Sequence, residues 1–151
     1  MIENEKLIEE LNDLILINND RIEKYKRVLK NSSSSEDQFF LKKMINQGTL
    51  FTDELADEIK NKSRGFNWKS IIRPGKIYKT WEDLKFSISE KNSLEIITST
   101  EDAIQKIYQK ALSPDVYIPS DIIPLIIIQK AKLKESYHAF KNSFNLNLVE
   151  P

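Results

Sequence analysis

The stretch "ENEKLIEELNDLILINNDRIEKYKRVLK", residues 3–30, carries Leu7, Ile8, Leu11, Leu14, Ile15, Ile22, Tyr25, Val28 and Leu29 at the three-and-four spacing of an amphipathic helix. Neither glycine nor proline interrupts it. A helix this long must cover its apolar face with other elements, and the rest of the chain offers them. "NSSSSED" breaks the pattern, and within it Ser35 with Gln38 three residues later reads as a capping box. The second helix then runs to about residue 62, with Phe40, Met44, Phe51 and Leu55 on one face. "SRGFNWKSIIRPG" is a longer connection whose Phe66, Trp68, Ile71 and Ile72 are expected to pack back on the helices. Ile77, Trp81, Leu84 and Ile88 mark a short amphipathic helix. Asn92 with Glu95 caps a third long one through about Leu112, and Ser120 with Pro124 in the first turn opens the last.

Composition narrows the classes that fit. At 151 residues and 40% hydrophobic content, one domain with a sizeable core is expected. The 23 basic and 23 acidic residues cancel, so no global field draws in nucleic acid or an anionic membrane. With no cysteine and one histidine, disulfides, thiolate metal sites and the usual nitrogen-and-sulfur zinc sites are removed together. The start "MIENEKLIEE" does not read as a signal peptide, and "IIPLIII" (122–128) is too short to span a bilayer, so a cytoplasmic location is expected. Few glycines and prolines favour long helices with short joins, and hence an all-α, up-down four-helix bundle. It would have an extra short helix and a longer connection before the third long helix. Residues 1–145 form the single domain in this reading, and 146–151 an irregular tail.

Four motifs carry a family resemblance. "LNDLI" near the start, Q-x-x-x-F-x-x-E-L-x-x-E-I from Gln47 to Ile59, "GKIYKTW" from Gly75 to Trp81, and "EDAIQKIYQKAL" from Glu101 to Leu112 occur in order along most of the chain. They resemble the successive motifs of a bacterial family of ferritin-like four-helix proteins catalogued as domain of unknown function 2383. The resemblance implies a ferritin-like bundle, and a fold of that kind does not by itself imply iron chemistry. Family members tend to carry a histidine in a K-x-x-H-D setting of the last helix. Here Tyr137 stands at that place, with His138 one residue later.

Glu135 and His138 look like half of a di-metal ligand set, which in ferritin-like proteins needs a Glu from each of two helices and a Glu-x-x-His from each of the other two. On a ~100° wheel both point about 140–160° away from the apolar stripe Ile122, Ile126, Leu133, Tyr137, Phe140 and Phe144. They are expected on the outside. Asn18 lies at the centre of the first helix's stripe, and Glu54, Glu58 and Gln47 lie near the core face of the second. Glu101 is at the boundary of the third, with Asp102 outward. The expected arrangement is a hydrogen-bonded polar core layer of Asn18, Gln47, Glu54, Glu58 and Tyr137, reaching Tyr25, Tyr108 or Tyr137, with no cofactor. The function that follows is association, as a homo-oligomer (a dimer by preference) or with a protein partner, and not catalysis. The alternative is an iron or manganese site built on Glu54, Glu58 and Glu101. The basic-aromatic run "KIYKTWEDLK" is read as core packing by Trp81 with solvated lysines, not as a nucleic-acid surface. Ile127 and Ile128 lie beyond the stripe, to be covered by the 64–74 connection or by another subunit.

Overall fold

The computed structural model describes residues 2–64, 67–70 and 73–149. Five α-helices carry almost all of it: α1 (Ile2–Lys30), α2 (Ser35–Ser63), α3 (Lys76–Leu84), α4 (Ser93–Ala111) and α5 (Ile123–Val149), with single 3-10 turns at Trp68–Ser70 and Lys85–Ser87. No strand occurs among the described residues. The all-α expectation holds, and no described helix is long and apolar enough to cross a membrane.

Cap chemistry sets the helix starts. Asn92 accepts from the Glu95 amide at 2.9 Å, as its spacing predicts. In α2 the cap is Ser34 and not Ser35: the Ser34 hydroxyl accepts from the Asp37 amide at 3.2 Å, while Gln38 reaches back to the Ser32 carbonyl. Four consecutive serines offer equivalent caps, so the tertiary position of the turn selects among them. Ser120 does not cap α5, which begins at Ile123 after a turn in which the Ile122 and Ile123 amides bond to the Pro119 carbonyl. Nor is 146–151 an irregular tail throughout, because α5 continues through Val149. No glycine or proline interrupts it there, and the first residue able to stop it is Pro151. Residues 150 and 151 lie outside the described residues, as do Phe66, Ile71 and Ile72.

The direction of each long helix follows from its cross-links. Along α1 the residues Asn18, Arg21 and Tyr25 meet Tyr108, Glu101 and the Ile97 carbonyl of α4, in descending order. Gln47 of α2 bonds Lys132 and Ser136 of α5, whereas Glu54, further on, bonds Gln129. Arg21 meets the Met44 carbonyl of α2, and Tyr25 and Val28 share a core cluster with Leu41. Hence α1 and α5 run one way while α2 and α4 run the other. The order is up, down, down, up, and strict alternation stops at the 64–92 crossover. That connection must return the chain to the starting end, and α3 travels along it.

The core has two parts. The larger one gathers Leu7, Leu11, Leu14, Phe51, Leu55 and Ile104 from α1, α2 and α4, together with Ile77 and Trp81 of α3. The smaller one packs Tyr25, Met44, Ile97 and Phe140 beyond it. Trp81 is core as expected, and its indole N–H donates to Asp20 at 3.0 Å. Trp68 packs half-buried on the core, but Ile127 and Ile128 each remain 50% exposed.

Two glycines mark places where backbone and neighbour approach too closely for a side chain. A Cβ on Gly48 would stand 2.8 Å from Ile22 Cγ1, where α1 and α2 cross. A Cβ on Gly75 would stand 2.0 Å from Glu10 Oε1 and 2.7 Å from Asp13 Oδ2. Gly75 is also the N-cap of α3 and offers no side chain, so α1 supplies the cap from outside. The Gly75 and Tyr78 amides donate to Asp13, and the Ile77 amide donates to Glu10. Replacing Gly48 with Leu forces the α1–α2 contact apart and is expected to cost about 1–3 kcal/mol, read as a lowered urea midpoint with the helical circular dichroism retained.

Candidate functional site at the bundle centre

The centre of the four long helices is polar, and it is organised by an arginine. Arg21 is fully buried on α1. Its guanidinium pairs with Glu101 of α4 through two parallel bonds, Nε to Oε2 at 2.7 Å and Nη2 to Oε1 at 3.0 Å. The remaining donors turn to α2: Nη1 bonds the Met44 carbonyl at 3.3 Å and Nη2 bonds Gln47 Oε1 at 3.2 Å. The Tyr25 hydroxyl donates to Glu101 at 2.7 Å, and its ring lies 5.2 Å from the guanidinium carbon. Gln47 completes the tier by donating to Ser136 and to the Lys132 carbonyl of α5. One connected set of bonds thus touches all four long helices.

A second tier lies next to it. Asn18 donates to the Leu14 carbonyl and, at 3.0 Å, to the Tyr108 hydroxyl. Tyr108 donates to Gln129 Oε1 at 2.7 Å, and Gln129 donates to Glu54 at 3.1 Å and to the Phe51 carbonyl. This chain also crosses α1, α4, α5 and α2. Two buried oxygens, Asn18 Oδ1 and Thr100 Oγ1, find no partner among the described residues.

The electrostatics follow from burial and pairing. Burial alone would lower the Arg21 guanidinium, but the Glu101 carboxylate beside it, helped by Tyr25, raises it well above its ordinary value. Burial raises both buried phenols, and Glu101 adds to the effect at Tyr25. The two tiers therefore hold one guanidinium and two phenols that keep their protons across the physiological range.

Of the expected polar layer, Asn18, Gln47 and Glu54 are present, along with Tyr25 and Tyr108. Glu58 and Tyr137 are not part of it. Glu58 is one turn beyond Glu54 toward the end of α2, past the reach of Gln129, and lines a surface groove with Asn61 and Lys62. Tyr137 is buried, as its place on the apolar stripe predicts, but the α5 residue that bonds Gln47 is the half-buried Ser136 one position earlier. The Tyr137 ring packs instead beside His138 and under the Lys141 ammonium. Burial, then the fields of Asp102 and Glu101, raise the Tyr137 phenol. Glu135 and His138 are exposed, on the side of α5 that the helical wheel assigns them.

The metal candidates do not converge. Glu101 is held by Arg21 and Tyr25, Glu54 by Gln129, and Glu58 faces the groove. Among the described residues no three His, Cys, Asp or Glu side chains form a group able to hold a metal ion. An iron or manganese centre would need an inward carboxylate and histidine set, and the donors present do not fit it.

Arg21 and Gln129 carry the network, yet sequence reasoning passed over both. A signal was there: Arg21 lies three residues after Asn18 and four before Tyr25, and Gln129 lies three after Ile126 and four before Leu133, each on its helix's own stripe. A cation in such a stripe demands a carboxylate from a facing stripe, and Glu101 answers it.

Comparison with protein-family models, with curated proteins and with solved structures gives no match, so the site is interpreted from its own geometry.

Removing one partner of a buried pair strands the other. Arg21→Met is expected to destabilise the protein by about 3–5 kcal/mol in urea unfolding. A triple variant, Arg21→Met with Tyr25→Phe and Glu101→Leu, removes the stranded groups together and should recover most of that loss. A loss below about 1 kcal/mol for the single variant would show that the pair does not anchor the core.

Proposed function

We propose that this chain is a ferritin-like bundle protein of the bacterial family catalogued as domain of unknown function 2383, and that it works in the cytoplasm by association, with a second copy or a protein partner, and not by catalysis. The order up, down, down, up with a single long crossover is the connectivity expected of ferritin-like bundles. The motifs around Gln47–Ile59, Gly75–Trp81 and Glu101–Leu112 support the family assignment.

The observation that carries the reading is the bidentate Arg21–Glu101 pair at the bundle centre. In ferritin-like metalloproteins that space is lined by carboxylates and histidines of facing helices. A guanidinium there supplies the positive charge from within the chain and uses up the carboxylate that a metal would need. The interior then serves to fix the packing of four helices, and the surface is left to act. Leu50 on α2 and Ile127 and Ile128 on α5 are each about half exposed, an apolar allotment that association would cover.

Two measurements test the reading. Light scattering at micromolar concentration is expected to give a dimer mass, shifted to monomer by Ile127→Glu with Ile128→Glu while helicity is retained. A monomeric wild type that also captures no partner protein from its native extract would overturn association. Protein purified from iron- and manganese-supplemented cells is expected to contain far less than one metal per chain. Stoichiometric metal lost on Glu54→Ala with Glu58→Ala would establish the metalloprotein alternative instead.

A further inference from the structure

Apart from the central tiers, the structure buries a second pair of ionisable groups, and among the described residues neither makes a salt bridge. Glu10 and Asp13 lie on α1, 4% and 0% exposed, facing the start of α3. No lysine or arginine nitrogen among the described residues lies within salt-bridge distance of either carboxylate. Their bonds go to backbone: Gly75 N to Asp13 Oδ1 at 3.1 Å, Tyr78 N to Asp13 Oδ2 at 2.9 Å, and Ile77 N to Glu10 Oε1 at 3.4 Å. The two side chains also approach each other. Glu10 Oε1 and Asp13 Oδ2 both fall within 2.7 Å of the point where a Gly75 Cβ would stand.

We propose that Glu10 and Asp13 form a proton-held latch for α3: with one proton shared between them the helix stays docked on α1, and loss of that proton releases it. The physical reason is a balance. A helix N-terminus presents roughly half a positive charge and a few free amides, which suffice for about one carboxylate. A second negative charge in the same buried contact has no ion-pair partner and only the field of Lys76 to offset it, so one of the two groups retains its proton, as in carboxylate pairs that share a site. Gly75 makes the device specific, because any side chain there would fill the space that the two carboxylates occupy.

The surrounding charges leave this balance in place. A groove of about 270 Å³ beside Glu10 is lined by Lys6 and Glu9 of α1, Lys76 and Lys79 of α3, and Asp115 and Tyr117 of the segment before α5. It gives solvent a path to the pair. Lys76 is the cation that lowers Glu10, but its ammonium is engaged by the Asp115 carbonyl at 2.6 Å. Lys110 pairs with the Asp115 carboxylate and not with the latch. Tyr78 contributes its amide to Asp13, and its ring lies beneath Lys85.

The titration has the sign this geometry requires. Burial, with the neighbouring Glu10 adding to it, pushes Asp13 up to about 7, and burial raises Glu10 as well. A carboxylate raised in the folded state binds its proton more tightly there than in the unfolded chain. Its stabilising contribution is complete below the unfolded value near 3.8 and is lost as pH rises through about 7.

Hydrogen exchange followed by mass spectrometry tests the latch on the whole protein. Protection factors of the 75–84 segment, corrected for intrinsic exchange, are expected to fall by up to about tenfold per pH unit as pH rises from about 4 to about 7 and to level off above it, while the segment around Glu101 holds constant. Glu10→Gln keeps an acceptor for the Ile77 amide but removes the neighbouring charge, and is expected to weaken that response and move it to lower pH. Asp13→Asn is expected to do the same. A wild-type profile that is flat between about pH 4 and pH 7, or an unchanged response in either folded variant, overturns the proposal.

Discussion

A guanidinium buried among four helices must be satisfied there or the helices cannot close. Arg21 has five donor hydrogens and no access to water, so each needs an acceptor from the facing elements. Glu101 takes the two strong bonds, the Met44 carbonyl and Gln47 take others, and Gln47 passes the connection on to α5. Together these partners fix the axial positions of α4, α2 and α5 relative to α1. A purely apolar core would hold the helices together with less regard to their stagger. This one admits a single stagger, because a one-turn slip of α4 would carry Glu101 about 5 Å from its cation.

The same logic appears in different form at the start of α3. There the fold brings two carboxylates to a helix end that has no cap of its own, and the backbone amides act as the cation. Arg21–Glu101 is a matched pair of full charges. Glu10 and Asp13 are two full charges against a partial one. The first is balanced by its own partner, and the second by a proton. The molecule therefore has a rigid centre and a responsive edge, both set by α1, whose sequence places Glu10, Asp13, Asn18, Arg21 and Tyr25 within about four turns.

Much of the helical architecture was legible in the chain. The three-and-four spacing placed all five helices, the Asn92 cap was read correctly, and the wheel sent Glu135 and His138 outward. Half of the central layer was legible as well: Asn18, Gln47 and Glu54 stand where a polar residue interrupts or flanks an apolar stripe. What misled was the search for one kind of chemistry. A hunt for inward carboxylates and histidines passes over an inward arginine, though the arginine decides what the carboxylate does. Glu58 turns to a surface groove, and Tyr137 is buried as the wheel predicts but meets Asp102, His138 and Lys141, because a wheel gives a direction and not the neighbour found there.

By itself, the sequence determined the helices, their apolar faces and the polar residues that interrupt those faces, because each follows from contacts within a few residues along one helix. Only the tertiary structure decided which interruptions meet. The pairing of Arg21 with Glu101 and of Asp13 with Gly75 spans 80 and 62 positions of sequence. Such pairings depend on the direction and stagger of whole helices, and those are set by the crossover that turns α4 parallel to α2. Local periodicity has no term for that crossover, so the chemistry of the interior became visible only once the chain was folded.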